Sequence, residues 1–110
     1  MPFKKLIQME KFSDLRLKQL WDDCRIFAAW FSSIRHGKTI VDQKTKKKLS
    51  VLDVIRRYAN ARGLLVALGY PLALKKTKSK TTREFKELFK LALPSIEYYA
   101  KKYKGKVERS

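Results

Sequence analysis

Apolar residues recur at helical spacing in three segments of the chain. In the first segment most stand three or four positions apart, at Leu17, Leu20, Trp21, Cys24, Phe27, Phe31 and Ile34. This spacing places them along one face of an α-helix. Ser13 precedes the segment and Gly37 follows it, which is typical of a helix start and a helix end. The pattern predicts a first helix over residues 13–36, after an N-terminal arm of residues 1–12.

The second segment has the clearest end signals. Ser50 and Asp53 have the spacing of a capping box, in which each side chain accepts a hydrogen bond from the backbone of the other. The sequence Gly69-Tyr70-Pro71 is a strong stop signal. These signals predict a second helix over residues 50–68.

The third segment carries apolar residues at Phe85, Leu88, Ala92, Ile96, Tyr99 and Tyr103. They predict a helix over residues 82–104, with Thr81 and Glu84 as a second candidate capping box. Pro94 lies inside this pattern and removes one backbone hydrogen bond. We therefore expect one helix kinked at Pro94, with a break into two helices as the alternative.

No long stretch alternates apolar and polar residues at strand period. In the connector between the first two helices, residues 39–41 are expected to form a short extended piece. The predicted fold class is all-α: a small bundle of three to four helices with basic connecting loops, forming a single domain over residues 1–110.

The distribution of charge indicates the kind of partner. Lys and Arg number 27 against ten Asp and Glu, so the formal net charge is +17. No acidic residue occurs from Val54 through Arg83, and a lysine run lies just upstream. Such a charge opposes compaction unless a polyanion neutralises it, and a nucleic-acid backbone or an anionic membrane surface could do so. The clustering favours a nucleic-acid partner bound through its backbone.

The candidate nucleic-acid-binding residues lie on the second helix and on the two connectors beside it. Lysines on connectors reach phosphates without a fixed geometry, whereas helical arginines supply oriented, forked contacts. Tyr70 is a candidate for base stacking, or packs as part of the Gly-Tyr-Pro turn. The full set is Lys44, Lys46, Lys47, Lys48, Arg56, Arg57, Asn60, Arg62, Tyr70, Lys75, Lys76, Lys78, Lys80 and Arg83.

Ile26 and Trp30 lie off the apolar face of the first helix, one turn apart. They form a second core face, a protein contact or a stacking platform. We favour core or protein contact, because the first helix carries Asp22 and Asp23 and is not the basic element.

The sequence offers little for catalysis. His36 is the only histidine and Cys24 the only cysteine, so neither a Cys/His metal site nor an internal disulfide is expected. Asp22 and Asp23 are adjacent on a helix and point about 100° apart, so they form no convergent carboxylate pair. We expect no enzyme activity, cofactor, metal or small-molecule substrate. A lone cysteine and the lack of a signal-peptide pattern favour an intracellular, cytoplasmic protein.

Two segments resemble a known family. Residues 12–27 resemble the first helix of the small helical subunits of CRISPR effector complexes of the Cascade and Csm type. There a hydroxyl cap leads into a leucine-rich helix, here with Ser13, Leu17, Lys18, Leu20 and Trp21. Residues 81–100 resemble the phenylalanine-led helix that follows a basic turn in that family. The resemblance implies a non-catalytic subunit that stacks in several copies and lines the groove for the target or displaced strand.

Three hypotheses follow. The first is a sequence-tolerant nucleic-acid-binding subunit of a nucleoprotein assembly, with sister subunits as further partners. The second is a viral or archaeal coat protein that self-assembles on a genome and is found in the virion. The third, from another class, is a membrane-surface or protein-binding adaptor. Lipid is disfavoured, because no predicted helix has a lysine-rimmed face with bulky apolar residues at its centre.

Overall fold

The protein's computed structural model describes residues 14–70 and 83–107, and within these ranges it consists of three packed helices. Helix α1 spans Asp14–Arg35, α2 spans Val51–Ala67 and α3 spans Arg83–Val107. The described residues form no strand beyond an isolated antiparallel bridge between Val41 and Lys48. The all-α class is therefore confirmed, and the bundle has three helices in the described part of the chain.

Helices α1 and α2 end in the same way. Gly37 and Gly69 both adopt a left-handed conformation, with φ of 89° and 106°. After α1, Lys38 N–H donates to Ser33 C=O (2.9 Å) and Gly37 N–H to Ile34 C=O (3.0 Å). After α2, the N–H groups of residues 70 and 69 donate to the carbonyls of residues 65 and 66 at 3.0 and 2.9 Å. This is the Schellman pattern, which explains why glycine stands at both positions.

The predicted capping box of α2 is confirmed. The backbone N–H of Asp53 donates to Ser50 Oγ (3.1 Å), and the backbone N–H of Ser50 donates to Asp53 Oδ2 (2.9 Å). The hydrogen bond that the Ser50 backbone donates to the carboxylate, followed by a side-chain hydrogen bond with Ser50, lowers the pKa of Asp53. The other predicted cap residues, Ser13 and Thr81, lie outside the described residues.

Helix α3 runs through Pro94 as one helix, so the alternative of a break there is wrong. It extends to Val107, beyond the predicted end at residue 104. Pro94 and Lys90 are both exposed. Water can therefore solvate the Lys90 carbonyl, which would otherwise accept from the N–H that proline lacks.

A tight turn forms the basic connector, residues 38–50, between α1 and α2. Asp42 N–H donates to Lys47 C=O and Leu49 N–H to Ile40 C=O, both at 2.9 Å. Lys46 has a φ of 62°, in the left-handed region that non-glycine residues rarely adopt. The expected extended piece at residues 39–41 contributes Val41 to the bridge beside this turn. The lysines of the connector are exposed to solvent.

The core is built from the predicted apolar faces of all three helices. The largest fully buried side chains are Tyr58, Phe31, Leu65, Leu88, Ile96, Val54 and Cys24. Burial raises the pKa of the Cys24 thiol to about 12. Trp21, predicted to be core, is 37% exposed. Arg35 also joins α1 to α3 through an ion pair with Glu87 (2.8 Å).

Helices α2 and α3 pack most extensively, and Gly63 allows their closest approach. A Cβ atom at Gly63 would lie 2.5 Å from Tyr99 Cβ and 3.1 Å from the Ala100 backbone nitrogen. Both distances are too short for a side chain at this position without a shift of α3. This contact fixes the C-terminal half of α3 against α2.

Candidate nucleic-acid interface

A shallow cleft of about 230 Å³ lies between α2 and α3. It is lined by Asp53, Arg56, Arg57, Asn60 and Tyr99. Four of these residues come from the face of α2 opposite its buried side chains, as the helical spacing predicts. The structure therefore brings together three of the sequence-predicted candidates and adds a tyrosine from α3.

Arg57 attaches the basic connector to this cleft. Its Nη2 atom donates to Asp42 Oδ2 over 2.6 Å, and the Asp42 side chain is only 12% exposed. Asp42 Oδ1 also accepts from the backbone N–H of Lys44 at 2.9 Å. The Lys44 hydrogen bond, followed by that of Arg57, lowers the pKa of the Asp42 carboxyl. Arg57 is therefore committed to an ion pair within the protein.

Arg56 is the available arginine of the cleft. Its side chain is 61% exposed, and its contact with Asp53 is loose, at 3.9 Å. An exposed guanidinium at this distance from its neighbour can turn to a phosphate at little cost, since such surface pairs contribute little stability. Arg56 is therefore exposed and loosely paired, and its contact with phosphate stays a prediction.

The lysines of the basic connector surround the Asp42 anchor. Lys44, Lys46, Lys47 and Lys48 are all exposed. Across residues 14–70 and 83–107, none of these four forms an ion pair. Because Asp42 is bonded to Arg57, the lysines are carried on a segment fixed to the cleft. The connector is thus attached to α2 at the cleft, and we call the exposed cations of the two segments the basic surface, namely Lys44, Lys46, Lys47, Lys48 and Arg56.

Tyr99 of α3 completes the cleft, and Tyr103 contacts it through Asn60. The Tyr103 hydroxyl donates to the Asn60 side-chain oxygen. The rings of Tyr99 and Tyr103 stack with centroids 6.1 Å apart, and Lys102 Nζ lies 5.9 Å from the Tyr99 centroid. Partial burial raises the pKa of Tyr103.

Helical spacing predicts Tyr99 and Tyr103 on the apolar face of α3 and does not indicate a role in an interface. The signal that could have identified them is the alternation of tyrosine and lysine in Tyr98-Tyr99-Ala100-Lys101-Lys102-Tyr103. Interleaved cations and aromatic rings are typical of surfaces that bind nucleic acids.

Arg62 corrects the predicted site. It is only 3% exposed, so its guanidinium does not reach a phosphate on the surface. The guanidinium carbon lies 5.1 Å from the Trp21 ring centroid and 5.9 Å from that of Phe89. Arg62 follows the buried Tyr58 by one helical turn and therefore falls on the apolar face of α2. Trp21 covers it from the solvent side, which accounts for the partial exposure of that tryptophan.

The remaining candidate nucleic-acid-binding residues are packed in a turn, exposed, or outside the described residues. Tyr70 packs edge-on against Trp21 with centroids 5.9 Å apart, so its ring is engaged within the turn. Arg83 is exposed at the start of α3. Four predicted phosphate ligands lie outside the described residues, namely Lys75, Lys76, Lys78 and Lys80.

Ile26 and Trp30, which lie off the predicted apolar face of α1, are in different environments. Trp30 is partly buried against the core, and its ring lies 5.4 Å from that of Phe27. Ile26 is 45% exposed, and Leu15 on the same helix is 76% exposed. Between them Asp22 pairs with Lys18 (3.1 Å) and Arg25 (3.0 Å), so this part of α1 is nearly neutral.

The described ranges contain no group of three His, Cys, Asp or Glu side chains that could hold a metal ion. His36 Nδ1 lies 2.7 Å from the carbonyl oxygen of Ser32. No helix among the described residues has the length and apolar character needed to cross a membrane.

Comparison with known proteins gives no assignment. No protein-family model, no curated protein and no solved structure matches the chain.

Proposed function

We propose that this chain is a non-catalytic, sequence-tolerant nucleic-acid-binding subunit of an intracellular nucleoprotein assembly. The observation that carries the proposal is the Asp42–Arg57 ion pair, which fixes four exposed connector lysines to the cleft that holds the exposed Arg56. Several exposed cations on adjoining segments carry the charge that a phosphate backbone requires of its partner.

The chemistry of the basic surface favours backbone contacts over base readout. The connector lysines are point charges on long side chains, so they neutralise phosphates without requiring a particular base sequence. Arg56 adds a planar, forked donor that suits two phosphate oxygens. Affinity should therefore depend steeply on salt and weakly on sequence.

Within this function, we propose a CRISPR effector small subunit lining the target-strand groove as the particular role, on the basis of the resemblance in residues 12–27 and 81–100. The neutral part of α1, with Leu15 and Ile26 exposed, suits a contact with a sister subunit. The same features suit a coat protein that self-assembles. An assembly experiment distinguishes the two roles, because a coat protein polymerises on nucleic acid without sister subunits or a guide RNA.

The sharpest test compares two matched arginines. Arg56 and Arg25 are exposed on helices, and each stands three residues after an aspartate with which it pairs. Arg56→Ala and Arg25→Ala therefore remove the same charge from an exposed helical position, together with an aspartate pair that is closer for Arg25 (3.0 Å) than for Arg56 (3.9 Å). α1 contributes no described residue to the cleft, so only Arg56→Ala should weaken binding.

The measurement is oligonucleotide affinity as a function of salt concentration. Arg56→Ala is expected to weaken binding about equally on unrelated sequences and to reduce the slope of log affinity against log salt by about one. Equal effects of the two variants would indicate non-specific attraction by net charge alone. Binding of anionic liposomes in flotation, without binding of oligonucleotides, would instead support the membrane-surface adaptor.

A further inference from the structure

An exposed tyrosine, Tyr98, stands next to the tyrosine that lines the cleft. Tyr98 is 62% exposed, one of the largest exposures among the bulky side chains of the described residues. Its ring lies 5.2 Å from that of Tyr99, which lines the cleft, and the two rings are nearly perpendicular, at 77°. A flat aromatic surface is thereby presented to solvent at the edge of the cleft.

The support for this ring is rigid. Tyr99 stacks on Tyr103, Tyr103 donates to Asn60, and Gly63 lets this part of α3 approach α2 closely. Tyr98 is carried on the same helix turn as Tyr99. Because tyrosine has few rotatable bonds, a ring held in this way loses little conformational entropy when a ligand binds.

Cations lie on the same part of α3 and in the cleft. Lys101 and Lys102 are exposed on the adjoining turn, and Lys102 Nζ lies over the Tyr99 ring. Arg56 lines the same cleft as Tyr99. An aromatic platform between cations is the arrangement that holds a base and its neighbouring phosphates together.

From this juxtaposition we infer that the cleft binds single-stranded nucleic acid, with one base stacked on Tyr98 and the adjacent phosphates held by Arg56 and the connector lysines. The inference rests on the proposed function and adds the strandedness of the ligand. Base pairs in a duplex stack on one another and offer no face to a side chain, whereas the bases of a single strand are available.

The test uses three ligands of equal length: a single strand, its duplex, and a single strand with abasic sites. The abasic strand keeps every phosphate and removes the bases. Each ligand is titrated by fluorescence anisotropy at one salt concentration, with deoxyribose and ribose versions of the intact strand. The wild-type protein is expected to bind the intact single strand of at least one sugar type more tightly than the other two ligands.

Variants of Tyr98 assign the difference to the ring. Tyr98→Ala and Tyr98→Leu should weaken binding of the intact strand about fivefold or more, to the level of the abasic strand, and leave abasic binding unchanged. Tyr98→Phe keeps a ring and should retain the wild-type preference. Because Tyr98 is exposed, all three variants should show the same circular dichroism spectrum as the wild-type protein.

The outcomes separate this inference from the proposed function. Salt-sensitive binding that is equal for the three ligands, or that Tyr98→Leu leaves unchanged, overturns the stacking inference alone. Failure to bind any of the ligands at low salt overturns both.

Discussion

Arg57 and Asp42, fifteen positions apart in the sequence, form an ion pair of 2.6 Å that joins the basic connector to α2. The pair buries most of the Asp42 side chain and uses one of the two arginines at the cleft. Asp42 is an acidic residue in a strongly basic segment, and this ion pair gives it a structural role. It attaches the segment that carries the four connector lysines to α2, although the like charges of these lysines repel one another.

The first prediction concerns the pH dependence of this pair. The pKa of Asp42 is lowered from its ordinary value of 3.8, so the folded state favours the carboxylate. Its contribution to stability is complete above the unfolded-state pKa and is lost as the pH falls through the lower folded-state pKa. Asp42→Asn should therefore reduce the free energy of unfolding at neutral pH, and the deficit should shrink below about pH 4. Urea unfolding across this range measures it, and parallel pH curves for the two proteins would contradict it.

The second prediction concerns Lys46, whose φ of 62° strains a non-glycine residue. Lys46→Gly should raise the free energy of unfolding by up to about 1 kcal/mol, because glycine adopts this conformation without steric cost. Lys47→Gly is the matched control: it removes the same charge at a residue without positive φ and should lower stability. If Lys46→Gly is less stable than the wild-type protein in urea unfolding, the turn does not have the described conformation.

The third prediction tests the contact between α2 and α3. In an open helix Gly→Ala stabilises by about 0.5–1 kcal/mol, because alanine loses less backbone entropy on folding. At Gly63 the added Cβ would lie 2.5 Å from Tyr99 Cβ. Gly63→Ala should therefore destabilise the protein by about 1–3 kcal/mol through overpacking. The opposite sign in thermal or urea unfolding would show that the helices are further apart.

The fourth prediction distinguishes Arg62 from Arg56. Truncating the buried Arg62 removes its packing between Trp21 and Phe89, so Arg62→Ala should cost about 2 kcal/mol or more of unfolding free energy. The salt slope of oligonucleotide binding should stay unchanged, measured where the variant remains folded. Arg56→Ala should show the reverse: near wild-type stability with a reduced slope. A reduced slope for Arg62→Ala would return this residue to the interface.

The features predicted correctly from sequence are those set by residues close together in the chain. Ser50 and Asp53 lie three positions apart, and Gly37 and Gly69 act within a single turn, so local spacing is sufficient. The three apolar faces follow from the same periodicity. Such features require no knowledge of how the helices pack.

The wrong predictions concern residues whose environment is determined by how the helices pack against one another. Arg62 lies on the apolar face of α2 by spacing, but charged residues are rarely buried, and only the positions of Trp21 and Phe89 explain why this one is. The contribution of Tyr99 to the cleft depends on the approach that Gly63 allows. The sequence does not specify which part of α3 meets that glycine.

The burial of Cys24 has a practical consequence for studying this molecule. With its pKa raised to about 12, the thiol is protonated at neutral pH and shielded from reagents. A second cysteine placed at an exposed position, as in Lys44→Cys, would then be the site that takes up a maleimide dye or a nitroxide. The native cysteine can stay in place, and spectroscopic distances from the connector can be recorded without disturbing the interior.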